Sequence, residues 1–139
     1  MLVRFFRITC LFLGLALLIT VPSLARPPFP YEPLGTVKVN GENVPPDTEV
    51  GAWCGGIQYT SSLVEFYEGE TWYSLQVPGD DPETEGTIEG CTAGETVRFT
   101  VAYKSLVLEP SQTGTWVSDF EQINLTSTVF RVYLPLILR

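Results

Sequence analysis

The side chains of this protein that could do chemistry are three cysteines, three tryptophans and a run of carboxylates, and its 139 residues include no histidine. The missing imidazole removes the commonest general base and the commonest transition-metal ligand together. Ser61 and Ser62 therefore have no base to activate them as nucleophiles. Paired carboxylates can hydrolyse glycosides, but the acids here gather in turn-rich segments without the signal of a cleft. The expectation is a protein without catalysis and without a cofactor.

Trp53 and Trp72 are the leading binding candidates. By strict alternation each falls on the face opposite its strand's core residues, which are Val50, Ala52 and Cys54 in one case and Tyr73, Leu75 and Val77 in the other. Flat aromatic side chains exposed on a sheet stack well on sugar rings and other apolar ligand faces. The competing reading is that a loop or the chain's end covers these faces, or that a bulge reverses the register. Trp116 completes the ligand-binding candidates; it has no decisive neighbours, and a core position is the favoured reading.

A second cluster is acidic: Asp80, Asp81, Glu83, Glu85 and Glu89. Calcium takes six to eight oxygens, and closely spaced carboxylates on a turn can supply several. The spacing matches no calcium loop, so a solvated run with no metal is expected. Calcium on Asp80, Asp81 and Glu83 is the alternative. Asn124-Leu125-Thr126 fits the glycosylation acceptor pattern but falls in an expected strand.

These residues must be placed by elements that begin after an export address. Arg4 and Arg7 precede an apolar run over residues 8–21, and Ser23-Leu24-Ala25 offers small residues to a signal peptidase, so cleavage after Ala25 is expected. Cys10 leaves with that segment. Cys54 and Cys91 remain, without Cys-x-x-Cys spacing, and an even count in an exported chain predicts a structural disulfide. Closing that loop is worth about 4 kcal/mol in the chain-entropy model. After cleavage six basic residues face sixteen acidic ones, a net charge of −10. So acidic a surface repels nucleic acid and anionic membranes. No stable transmembrane segment is expected after cleavage.

Residues 26–34, rich in proline, read as an extended leader. Residues 35–41 alternate as a strand ending in Asn40-Gly41, the strongest short hairpin signal in the chain. Further strands are expected over 48–54, over 57–67 with a break at Ser61-Ser62, over 71–77, and over 96–103. Residues 104–112 are ambiguous, and 113–117 with 122–126 read as a last hairpin that turns Ile123 and Leu125 inward. No window carries an amphipathic helix. About seven short strands with regular turns predict an all-β, antiparallel two-sheet sandwich over residues 35–126. The tail, residues 127–139, is apolar and holds Pro135; it is expected to dock on the sandwich as far as Tyr133 and leave Leu134 onward for a partner.

Gly35-Thr36-Val37, Val39-Asn40-Gly41, Pro45-Pro46, Thr48 and Val50 with Ala52 resemble the opening of carboxypeptidase-regulatory-like, or prealbumin-like, Ig-like β-sandwich domains. Gly69, Tyr73, Leu75 and Val77-Pro78-Gly79 are similar to the family's middle strand, and Gly94-Glu95-Thr96-Val97, Phe99, Val101 and Ile123-Asn124-Leu125-Thr126 to its later ones. Asp119 departs from the pattern, where a glycine is expected. The resemblance implies an accessory or adhesive, non-catalytic module, secreted or at the cell surface, with an unidentified protein or polysaccharide partner. A carbohydrate-binding module using the surface tryptophans is the alternative.

Overall fold

A computed structural model describes residues 28–130 apart from Glu85. The expected cut after Ala25, Cys10 and the tail from Arg131 onward lie outside the described residues.

The strongest turn signal sets the first hairpin. Asn40 and Gly41 both have positive φ, 54° and 81°, the combination that a two-residue turn matching strand twist requires. They join β1 (Glu32–Val39) to β2 (Glu42–Asn43). In β1 Val37 and Val39 are buried, while Leu34 and Lys38 on the other face are half-exposed. β3 (Glu49–Cys54) buries Val50, Ala52 and Cys54, as its alternation requires. Gly55 and Gly56, both with positive φ, turn it into β4 (Ile57–Leu63).

The segment expected to break at Ser61-Ser62 breaks instead at Val64. That residue is buried, donates its amide to the Thr48 carbonyl and accepts from the Asp47 amide. The chain thereby leaves one sheet as β4 and enters the other as β5 (Glu65–Tyr67), and both strands form free edges. A tight turn leads to β6 (Glu70–Ser74), and β7 (Thr96–Tyr103) follows the long loop. The ambiguous stretch folds back on β7 as β8 (Leu106–Leu108).

The last hairpin does not form. β9 (Thr113–Thr115) pairs with β7, whereas β10 (Phe120–Gln122) and β11 (Leu125–Ser127) cross to the other sheet and pair parallel with β1. Ile123 and Leu125 nevertheless turn inward as expected. The result is an all-β sandwich of eleven short strands among the described residues, more than the seven expected because residues 57–67 divide between the sheets as β4 and β5, the final run gives both β10 and β11 on β1, and β2 and β8 add short partners. One sheet runs β10-β1-β6-β5, with β11 and β2 also on β1; the other runs β4-β3-β7-β8, with β9 also on β7. Apart from the two parallel pairings of β1, every ladder is antiparallel.

The core is one apolar cluster in which Tyr73 of the first sheet meets Phe99 of the second, ring centroids 6.0 Å apart. Tyr31 belongs to it, fully buried, so the domain begins within the stretch read as leader. At the other end Val129 also packs on the core and donates its amide to Asn40 Oδ1 at 2.8 Å, whereas Phe130 is exposed. Cys54 and Cys91 are bonded, with Cα atoms 5.6 Å apart. Cys91 also exchanges backbone hydrogen bonds with Pro78 and Asp80. The bond therefore fastens the long loop between β6 and β7 to the end of β3.

Candidate functional site

The three tryptophans separate. Trp116 is a core residue: it is buried, and its indole N–H donates to the Val77 carbonyl at 3.0 Å. Its ring lies so close to Gly79 that a Cβ there would stand 2.2 Å from it, so only glycine fits that turn. Little of the Trp116 surface is open, although its ring borders a groove of about 530 Å³ that Pro28, Asp80, Asp81 and Glu83 also line.

Trp53 and Trp72 do turn outward, as alternation requires, but they stand on different sheets and so form no shared platform. Trp53 is half-buried and donates its N–H to Thr100 Oγ1 at 2.9 Å. Around it Arg98, Thr100, Val107 and Glu109 enclose a hollow of about 260 Å³. The β3–β4 ladder slips by one residue between Ala52 and Trp53. The slip does not reverse Trp53, because on the β7 side it still pairs in register with the exposed Arg98.

Trp72 borders a larger groove of about 640 Å³. Its origin is topological. β5 pairs with β6 only over Glu65–Tyr67, because the chain crosses to the other sheet at Val64. β6 continues to Ser74, paired with Leu34 of β1, and this overhang leaves a notch beside the edge. On the outer face Trp72 has Glu65 directly opposite in β5 and Thr36 directly opposite in β1. Direct cross-strand neighbours have Cβ atoms about 5 Å apart and diagonal ones about 7–8 Å, which puts Tyr67, Leu34 and Ser74 around the same indole. Ser62 also lines the groove, and its hydroxyl, buried, has no hydrogen-bond partner. The Trp72 N–H makes no hydrogen bond among the described residues, whereas the neighbouring Lys38 is held by Glu70 at 2.6 Å. Alternation identifies Trp72 but not this groove, since only the pairing of distant strands brings Leu34 and Ser62 beside it.

The acidic loop is a self-capped turn. Asp80 accepts from the Glu89 amide and Asp81 from the Glu83 amide, each at 3.0 Å. Among the described residues no group of three or more carboxylates or cysteines is arranged to hold a metal ion. Glu85 lies outside those residues. Asn124 spends its side-chain oxygen on the Thr36 amide at 3.0 Å, which holds the crossing between β10 and β11 against β1.

The titrating groups with a shifted pKa are structural. Burial is the main cause holding the hydroxyls of Tyr31 and Tyr73 protonated well above the ordinary tyrosine range, and the nearby Glu121 carboxylate adds to it. Tyr31 donates to Glu121, and Tyr73 donates to the Ile123 carbonyl at 2.9 Å. Together they pin the crossing chain around Ile123 from inside. Among the described residues no helix is long and apolar enough to cross a membrane. No known protein-family model, curated protein or solved structure matches this chain.

Proposed function

We propose that this protein is an exported, non-catalytic β-sandwich module of the carboxypeptidase-regulatory-like type, with an adhesive or accessory role at the cell surface. The observation that carries the reading is the ribbon formed by β4 and β5. It is the free edge of both sheets, and it exposes Ile57, Leu63, Phe66 and Tyr67, each more than half accessible to solvent. Large apolar side chains gathered on an edge mark contact surfaces rather than a monomer's ordinary exterior. The disulfide supports an oxidising destination. The acidic body keeps such a module soluble despite its apolar edge.

The test is to produce the full chain in a bacterial host with intact export machinery. The exported form should begin at Arg26, carry the oxidised pair, release no product from glycoside, ester or peptide substrates, and hold coated beads to immobilised protein or polysaccharide. Replacing Phe66 and Leu63 by glutamate should weaken that adhesion. Retention in the cytosol with free thiols, or turnover of any of these substrates, would sink the reading.

A further inference from the structure

We infer that the groove beside Trp72 binds a neutral polysaccharide, the indole stacking on the apolar face of a pyranose ring while Glu65 and Ser74 take its hydroxyls. The inference rests on the reading of this chain as a contact module and gives that module a ligand class. Four observations carry it.

The first is size: about 640 Å³ lies within the range of small-molecule sites and suits one stretch of a chain rather than a protein face. Second is the mixture of surfaces. Trp72 is half-buried, so its ring is held by the sheet yet still presents area, and Tyr67 beside it is exposed. Such rigid aromatic walls stack at little conformational cost. Interleaved with them on the same face are an acceptor-only carboxylate, Glu65, and a hydroxyl that both donates and accepts, Ser74. A purely apolar peptide would leave both without partners, whereas a sugar offers an apolar face and a ring of hydroxyls together.

Third, polar groups at the groove are uncommitted. The Trp72 N–H is unbonded among the described residues, and the buried Ser62 hydroxyl loses no hydrogen bond if it turns toward a ligand. Buried polar atoms are normally paired; Ser62, one of two buried hydroxyls without a partner among the described residues and the one at this groove, is what a ligand hydroxyl or a water accompanying it would satisfy.

Charge is the fourth. Glu65 stands in the groove and Glu68 on the adjacent turn, on a chain of net charge −8, while the nearest lysine, Lys38, is neutralised by Glu70. Uronate-rich or sulfated chains are repelled. Neutral hexose or pentose polymers are not.

The experiment titrates the full chain with cellulose, laminarin, xylan and mannan oligosaccharides by calorimetry, with polygalacturonate as the anionic comparison. At least one neutral series should bind, unaffected by raised salt, and polygalacturonate should not. Trp72→Ala should weaken binding about tenfold or more, and Tyr67→Ala and Glu65→Gln several-fold each. Should Trp72→Ala not fold, those two changes at exposed side chains carry the test. The inference is overturned by no neutral binding up to millimolar concentration, by binding that salt abolishes, by a preference for proline-rich or apolar peptides, or by binding lost on Trp53→Ala but not on Trp72→Ala. Release of reducing ends would sink the non-catalytic reading and leave the site standing. Adhesion to protein without glycan binding would do the reverse.

Discussion

Trp53 and Trp72 are the same residue type, each turned outward by alternation from a strand whose inner face is core, yet their surroundings make them different objects. Trp53 stands on β3, which is flanked on both sides, by β4 and by β7. Its ring lies toward β7 and is fastened there by Thr100, over a hollow less than half the size of the other. Trp72 stands on β6, whose neighbour β5 is three residues long, so the face beside it ends in a notch. What an outward tryptophan can do is set by the length of the strands next to it. Its own strand decides only the direction in which it points.

The most severe way to break the contrast is to remove the disulfide, which ends the Trp53 strand and has no part in the groove. Cys54→Ala with Cys91→Ala should cost about 4 kcal/mol, read as a lower denaturant midpoint. Hydrogen exchange in the native state should rise first in residues 78–91 and at the end of β3, and the Trp72 groove should be the last to loosen. Equal loosening of both faces would show that the sheets are not separately supported.

Alkali tests whether the faces come apart together. Tyr31 and Tyr73 have folded-state pKa values above the unfolded value of 10.0. Their contribution is therefore fully present below pH 10 and is lost as the pH rises above it, since only the unfolded chain then releases the protons. At one pH unit above 10 the two together should remove about 3 kcal/mol. Denaturation followed by tryptophan emission and by tyrosinate absorbance should give one shared midpoint that moves down with pH. A stability flat through pH 11 would show that neither hydroxyl is held as described.

A smaller change acts on the notch alone. Val64→Ala should cost about 2 kcal/mol, because it empties a buried corner that directs the chain between sheets. Glycan binding at Trp72 should fall with it while the environment of Trp53 stays unchanged. The gentlest change runs in the opposite direction. Thr100→Val removes the acceptor of the Trp53 N–H at a cost of about 1 kcal/mol, which should shift Trp53 emission and leave binding at the groove as it was. If Thr100→Val alters that binding, the two faces are coupled and the contrast fails.

Local chemistry was enough to determine a good deal of this protein. Val50, Ala52, Tyr73, Leu75, Val97, Phe99, Val101, Ile123 and Leu125 point inward wherever the pattern places them, because a strand's side chains alternate regardless of its partner. Asn40-Gly41 turns the chain because those two residues accept positive φ, and Cys54 and Cys91, expected to pair, are bonded. Tertiary structure alone decided which strands meet. The end of the chain reads as a hairpin, yet β9 and β10 go to different sheets, and β11 closes the sandwich by lying parallel to β1. Tyr31 reads as part of a proline-rich leader and becomes core because Gly114 leaves room against its hydroxyl. The break at Val64, and with it the groove, depends on Asp47 and Thr48, in the turn before β3, receiving that backbone. An alternating pattern has the same period whichever neighbour it pairs with, so it carries the direction of each side chain and no record of the partner. Partner choice comes from closing long loops around a shared core, a condition that no short window of sequence contains.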